Sequence, residues 1–477
     1  MKIVFAASEA APFIKTGGLG DVAQALPNVL SKYPGEEVLL FLPYYGAIKW
    51  NPDIKVEKVS EFQMDMAWRS QYVGLMKLKS RKKKLRIYFI DNEYYFNREG
   101  TYGYPDDGER YAFFSKAILA CLVNIGEKPD IIHCNDWQTA LVPIFLHALF
   151  QDELGNAKTV FTIHNIEYQG WTHPYFLGNV LGISEEYVNV LQYKNSLNFM
   201  KGAILTCDAL TTVSQTYAGE ICDPYYAHGL SPVICDHSFK LSGIVNGIDT
   251  GVFSSETDKS IVQNYTVDTV TEGKAACKKA LQEQLGLKVR EDVPIIGMVS
   301  RLVGHKGLDI LCAAIDELMD WDVQIVILGT GDAEYENRLH FTASRHTDKF
   351  SLNLCYNAEL SSRIYAAADM YLMPSKSEPC GLSQLIAMHY GTVPIVNETG
   401  GLKDTVIPFV AGTGEGLGFT FQSFNKDDML GALRRALEIY GGDKELWHKV
   451  VTNDMNADVS WEKPAEEYLS LYKSLIG

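Results

Sequence analysis

Paired cysteine is the first thing this chain lacks. Nine cysteines are scattered singly from Cys121 to Cys380, with no CxxC spacing among them. An odd number without a spacing rule excludes a disulfide framework and a zinc-ribbon site, and leaves buried free thiols as the plain expectation. Long apolar runs are missing too. The longest, residues 140–150, falls far short of the ~18 residues a membrane span needs and is interrupted by His147. The opening MKIVFAASEAAPF is too short in its apolar part for a secretory signal and reads as a first strand. Positive charge is also scarce: 43 Lys and Arg against 59 Asp and Glu leave a net charge of −16. So acidic a chain is poorly suited to nucleic acid or an anionic membrane surface. Any anionic ligand must be met by a few cations gathered in one place. Together these absences predict a soluble, cytoplasmic protein.

What is present is ample core material, with 47% of 477 residues apolar. A single core stops growing near ~250–300 residues, so two large domains are expected. Short apolar runs at 3–7, 38–42, 85–90, 131–134 and 160–163 read as strands, with helical patterns such as 22–30 and 111–125 between them. The rhythm is cleaner further on. Runs at 295–299, 324–328, 351–354, 370–373 and 393–396 alternate with helical patterns at 308–319, 335–345, 360–367 and 382–390. Continuous apolar strands separated by helices predict α/β architecture with parallel sheets covered on both faces. The stretch 251–292 breaks the rhythm, apart from a helical pattern at 273–285, and places a domain junction just before it. Residues 461–476 read as a helix that packs back across the junction. The basic run 81–84 reads as a solvated hairpin tip.

In parallel sheets of this kind ligands bind beyond the carboxyl ends of the strands, and the informative residues stand there. Lys15-Thr16-Gly17-Gly18-Leu19-Gly20-Asp21 follows the first strand and opens a helix. Its glycines admit a close ligand, the helix start favours an anion and Lys15 adds a cation, although the spacing is neither GxGxxG nor a P-loop. Arg301 and Lys306, five positions apart on a glycine-containing loop, suit a diphosphate. Ser375-Lys376-Ser377-Glu378-Pro379-Cys380-Gly381-Leu382 links a strand to a helix and sets Glu378 where a carboxylate can hold a hydroxyl or face a charged anomeric carbon. His164 and Asp136 each follow a strand. Asp136 reads equally as a sugar ligand or a helix cap. Gly400-Gly401 offers a further anion nest. Tyr94, Tyr95, Phe96, Tyr102 and Tyr104 form either a sugar-stacking cluster or a satellite hydrophobic one. Asp320-Trp321-Asp322 spells a metal-binding DxD at the wrong end of its sheet and reads as a turn.

Taken in order, KTGGLGDV, TIHNIEYQG, NGID, RLVGHKGLD, LGTGDAEYE, SEPCGL and TGGLKDTV closely resemble the bacterial glycogen synthases and plant starch synthases of glycosyltransferase family five. The resemblance implies a GT-B architecture, two Rossmann-like doubly wound domains with an interdomain active-site cleft. Its parts would be residues 1–245 on the acceptor side, 246–457 binding the nucleotide sugar, and 458–477 as the returning helix. It implies retaining transfer of glucose from ADP-glucose to the non-reducing end of an α-1,4-glucan, with no metal and no cofactor. Carried over by motif, Lys15, Gly17, Gly18 and Asp21 would contact the donor or sugar, as would Asp136 and Asn246. Arg301 and Lys306 would neutralise the departing diphosphate, Glu378 would be the catalytic carboxylate, and Cys380, Gly381 and Leu382 would supply the amides beside it. His164 would touch the glucose 6-hydroxyl, Tyr356 would stack on the base and Tyr95 would face the sugar. UDP-glucose as donor, and a non-catalytic glucan-binding protein, are the alternatives. Three departures bear on acceptor preference, rate and donor. Lys376-Ser377 stands where relatives often have Arg-Phe, Asn397-Glu398 where an Arg is common, and HCNDWQT where many relatives have HCHDWHT.

Overall fold

Each apolar run read above as a strand is a strand in the computed structural model, which describes residues 1–80 and 84–477. The chain divides into two compact units, Met1–Asn246 with Trp461–Gly477, and Gly247–Ser460.

The strands of the first unit are β1 Lys2–Ala6, β2 Glu37–Pro43, β3 Val56–Met66, β4 Arg69–Leu78, β5 Leu85–Asp91, β6 Ile131–Asn135, β7 Lys158–Ile163, β8 Trp171–Thr172, β9 Gln192–Tyr193, β10 Ser196–Asn198, β11 Ala209–Thr212 and β12 Leu241–Gly243. Nine of them form one sheet in the order β12-β11-β7-β6-β1-β2-β5-β4-β3. From β12 to β5 all neighbours are parallel. These strands are buried on both faces, which is why they read as unbroken apolar runs. The hairpin β3–β4 extends the edge antiparallel, and β8-β10-β9 form a small separate sheet. The expected hairpin tip at 81–84 lies mostly outside the described residues. The run at 140–150 is the core helix Leu141–Leu149. Among the described residues no helix is long and apolar enough to cross a membrane.

The terminal helix Glu462–Ile476 belongs to this first unit. Trp461, Ala465, Tyr468, Leu469 and Tyr472 enter its core, and the Tyr472 hydroxyl lies 2.6 Å from Nδ1 of the buried His133 on β6.

The second unit holds β13 Ile295–Val299, β14 Gln324–Leu328, β15 Phe350–Asn353, β16 Met370–Met373, β17 Val393–Asn397 and β18 Phe419–Phe421. They form one all-parallel sheet, ordered β15-β14-β13-β16-β17-β18. Both sheets reverse their winding direction once, between β1 and β6 in the first unit and between β13 and β16 in the second. Loops leaving the carboxyl ends of strands at such a reversal diverge and leave room for a ligand. The loops at these two points are the ones the sequence motifs occupy.

The cysteines depart from expectation. Cys121, Cys134, Cys207, Cys277 and Cys380 are buried, but Cys222 and Cys312 are half-buried and Cys235 and Cys355 are exposed. The buried five behave as small apolar side chains. Of the others, Cys312 lies on a partly open face of the helix Leu308–Asp320, Cys235 near the end of a short helix, and Cys222 and Cys355 outside helices and strands.

Candidate active site

In the first unit the loop after β1 is organised by a residue the sequence did not single out. Glu9 is buried, and its carboxylate accepts from both the amide and the hydroxyl of Thr16, the hydroxyl at 2.8 Å. This pins Lys15-Thr16-Gly17-Gly18 against the start of the helix Gly18–Leu30. Lys15 Nζ reaches Asp21 Oδ1 at 2.8 Å, one turn into that helix. Burial raises the carboxyls of Glu9 and Asp21 above the usual range, and Lys15 partly offsets the effect at Asp21.

Asp136 follows β6 with φ 56 and ψ 179, a backbone region essentially reserved for glycine and worth of order 1–3 kcal/mol of strain. The strain turns its carboxylate to the neighbouring loop, where Oδ1 accepts from the His164 amide at 2.7 Å and the Asn165 amide at 3.3 Å. Burial pushes the Asp136 carboxyl up to about 7, against the pull of those two amides and with a further push from Glu9. The helix-capping alternative fails, because Asp136 makes no side-chain cap to the turn that follows it.

His164 has its Nε2 2.9 Å from Asn135 Oδ1. The Asn135 amide nitrogen donates to the Ala6 carbonyl at 3.0 Å, which fixes which end of the amide is which. An amide oxygen only accepts, so the His164 proton resides on Nε2 and Nδ1 is left as an acceptor. Burial pushes this imidazole down to about 3, so it is neutral at any working pH. Asn135 is one of the two residues, with Gln138, at which HCNDWQT departs from the family pattern, and its partners lie on β1 and after β7, too far along the chain to be read from sequence. Asn135→Ala is expected to lower kcat between about 10- and 100-fold by releasing the His164 ring. The check is steady-state turnover with both substrates saturating, and unchanged turnover would separate Asn135 from the chemistry. Asn246 is also buried, and its Oδ1 has no partner among the described residues.

Tyr95 requires a correction. Its ring is 0% exposed, packed 4.8 Å from Phe113, and its hydroxyl donates to Glu109 at 2.6 Å. Glu109 in turn pairs with Arg69. This is a core tyrosine with its polar end satisfied, not a sugar-facing ring. Phe96 is buried with it, and Tyr94 is the exposed aromatic of that run.

In the second unit three loops are laced together. Lys306 Nζ lies 2.6 Å from Glu378 Oε2, and Ser375 Oγ donates to the same oxygen at 3.0 Å. Glu378 is only 6% exposed. The Lys376 amide donates to the His305 carbonyl at 2.9 Å, joining the loop after β13 to the loop after β16. Gly307 sits at φ 79, where a Cβ would stand 1.9 Å from the Pro374 carbonyl oxygen. No other residue lets the two loops approach so closely. The third loop follows β17. The Gly401 amide donates to the Glu378 carbonyl at 3.0 Å, and a Cβ on Gly400 would meet that carbonyl at 2.0 Å. The Gly400-Gly401 pair therefore supports the backbone of Glu378 rather than presenting an open nest. Asn397, one of the departures, is buried and donates to the Ser375 carbonyl at 2.9 Å. Gln384 went unnoticed in the sequence; its amide donates to the Cys380 and Gly381 carbonyls and closes the turn at Gly381, which has φ 73.

Cys380 is buried in that turn, and Leu382 is the residue before the helix Ser383–His389. Arg301 is exposed, as is Tyr356, whose ring is 88% exposed after β15. Each is free to meet a ligand face. Asp320-Trp321-Asp322 ends a helix, and Asp322 is engaged by Arg290 at 2.7 Å, as a turn requires.

Known proteins share this arrangement of strands and loops. A family profile described as "Starch synthase catalytic domain" matches residues 2–236, and one described as "Glycosyl transferases group 1" matches residues 282–452. The chain is 47% identical to a glycogen synthase of Clostridium novyi (strain NT), across 100% of this chain and 99% of that one. It is 45% identical to a glycogen synthase of Bacillus anthracis, across 100% of both chains. Among solved structures it resembles the catalytic domain of starch synthase IV from Arabidopsis thaliana bound to ADP and acarbose, with a TM-score of 0.91, 34% identity and 99% of each chain covered.

Proposed function

The chain belongs to the glycogen and starch synthase family of glycosyltransferases and has its GT-B fold, and we propose that it moves glucose from ADP-glucose to the non-reducing end of an α-1,4-glucan, with retention of configuration and release of ADP. The observation that carries the reading is the buried Lys306–Glu378 pair, held by Ser375 where the sheet reverses. Cleaving a glycosyl–diphosphate bond builds negative charge on the leaving group and positive charge on the sugar. Arg301 and Lys306 meet the first, Lys306 turning from Glu378 to the incoming diphosphate. Glu378, so released, faces the second. Fixed charges in a dry site stabilise such a transition state without reorganisation. His164, neutral and oriented by Asn135, offers an acceptor nitrogen to a sugar hydroxyl, and Asp136 and Asn246 bind further hydroxyls. Lys15, with Gly17 and Gly18, contacts the donor phosphates. Tyr356 stacks on the base.

Adenine is preferred as the base because the starch synthase IV structure carries ADP and matches this chain over its whole length. Lys15, Arg301 and Lys306 together offset the roughly three negative charges with which a nucleoside diphosphate departs, so the reaction should need no metal. Nine unpaired thiols fit a reducing, cytoplasmic setting.

The test is incorporation of labelled glucose into glycogen, with ADP-glucose and UDP-glucose offered in parallel and EDTA present. Incorporation from ADP-glucose at a rate indifferent to EDTA is expected. A rate restored only by added Mg²⁺ would remove the metal-free reading, and incorporation from UDP-glucose alone would reassign the base.

A further inference from the structure

Away from these loops the first unit carries a second group of reactive side chains. Cys222 stands just after the helix Gln215–Glu220, and Cys235 lies in the helix Ser231–Asp236. The Cys235 thiol donates to the Cys222 carbonyl at 3.2 Å, and the Cys222 thiol donates to the Ala218 carbonyl at 3.5 Å. Burial, with Cys235 beside it, raises the Cys222 thiol above its usual value. A carbonyl oxygen lies about 2.4 Å from its own Cα, so Cys235 Sγ is within about 5.6 Å of the Cys222 Cα. The two cysteines are therefore neighbours, and closing the bond takes rotation of both side chains and a small shift of the chain that carries them. Cys235 is exposed and Cys222 half-buried, so a small molecule meets Cys235 first.

We propose that Cys222 and Cys235 form a dithiol site that reacts with low-molecular-weight disulfides and closes to an intramolecular disulfide. The Cys235 thiolate attacks one sulfur of R–S–S–R, the S–S bond breaks, and RS⁻ leaves and takes up the proton that Cys235 gave to solvent. The Cys222 thiolate then attacks Cys235 Sγ and displaces the second RS⁻. The protein pair is oxidised by two electrons and the small disulfide is reduced to two thiols. The second step is intramolecular and outpaces capture by another small molecule.

The segment the bond would bracket touches the site described above. His228 and Gly229 lie in it with φ 48 and φ 89. Their carbonyls accept from Gln169 Nε2 at 3.2 Å and from the Tyr193 hydroxyl at 2.6 Å. Gln169 Nε2 also donates to the Ile166 carbonyl, two residues beyond His164. The closed bond therefore braces the loop on which the His164 segment leans. None of this depends on the reaction proposed for the chain.

The experiment treats the full native chain with oxidised glutathione at mildly alkaline pH, quenches with acid, alkylates free thiols and maps the peptides by mass spectrometry. Cys355, exposed on the second unit, serves as the internal control and should carry glutathione. Peptides of Cys222 and Cys235 should be joined in at least about tenfold excess over glutathionylated Cys235, and dithiothreitol should restore both. The joined form should be cut more slowly by protease within residues 223–229. Cys222→Ser should halt at the first step, with glutathione retained on Cys235. Wild-type protein in which Cys235 keeps glutathione beside an alkylated Cys222 would overturn the proposal. So would protein in which both stay alkylated while Cys355 reacts, or in which the bond joins two chains.

Discussion

Lys306→Ala is expected to lower kcat by about 10²–10³, the usual scale for loss of one electrostatic stabiliser of a developing anion. The same change should also cost stability. The Lys306 and Glu378 side chains are 19% and 8% exposed, so each charge is largely withdrawn from water and compensated by the other. Removing one partner of such a pair leaves a buried charge and costs on the order of 3 kcal/mol. A bare loss of activity would therefore confuse chemistry with folding, and a second variant separates them. Lys306→Met combined with Glu378→Gln removes both charges at similar volume, and the amide oxygen of the introduced glutamine can still accept from Ser375. The double variant is expected to melt near the wild type and to show no turnover. Glu378→Gln alone should lose at least as much turnover as Lys306→Ala. The readouts are thermal melting and labelled-glucose incorporation on the same preparations. Wild-type turnover by Lys306→Ala, or recovery of turnover in the double variant, would end the assignment.

Asp136→Asn is expected to raise stability at pH 8 and to flatten its dependence on pH. The Asp136 carboxyl stands near 7, against a usual value of 3.8, because burial penalises the charged form and Glu9 adds to it. The folded state then holds the proton more tightly than the unfolded chain. The stabilisation is complete below pH ~4 and is lost as pH rises through about 7. About three pH units at 1.36 kcal/mol each amount to roughly 4 kcal/mol at full conversion. Asparagine keeps the oxygen that accepts from the His164 and Asn165 amides and carries no charge at any pH. Melting temperature plotted against pH from 4 to 8 should fall for wild type and fall much less for Asp136→Asn. Some slope will remain, because burial raises Glu9 and Asp21 in the same direction. Parallel curves would show that Asp136 does not titrate in this range.

The apolar runs of the second unit were readable almost to the residue up to β17, while β18 and the helices Lys426–Gly442 and Lys444–Asn456 went unread. β13, β14 and β16 begin and end where their runs do, because strands buried on both faces are near-continuous apolar segments, with Gln324 at the start of β14 the one polar position. The strands that went unread include exposed and buried ones. β3 is the edge strand, exposed along most of its length, and β4 beside it is fully buried only at Val73, Gly74 and Leu75. β11 is entirely buried but ends in Thr211 and Thr212, whose hydroxyls are satisfied by Thr162 and the Ile163 carbonyl. Buried polar side chains with partners on a neighbouring strand look like loop residues until the neighbour is known. Tyr95 failed for a related reason. An aromatic ring with a hydroxyl suits a sugar or a core equally, and Glu109 as its partner decided for the core.

By itself, the sequence determined the α/β class, the presence of two units, the family and the loops that hold the motifs. These follow from local pattern: the period of apolar residues, glycine at turns, and cations and carboxylates next to strand ends. The tertiary structure alone decided which of those residues meet. Lys306 and Glu378 are 72 positions apart, and Asn135 and His164 are 29 apart. Their pairing depends on strand order, and strand order is set by how whole helices and strands pack. The protonation of Asp136 and His164 was settled at the same level, because desolvation is a property of everything that surrounds a group and of nothing in its own residue type.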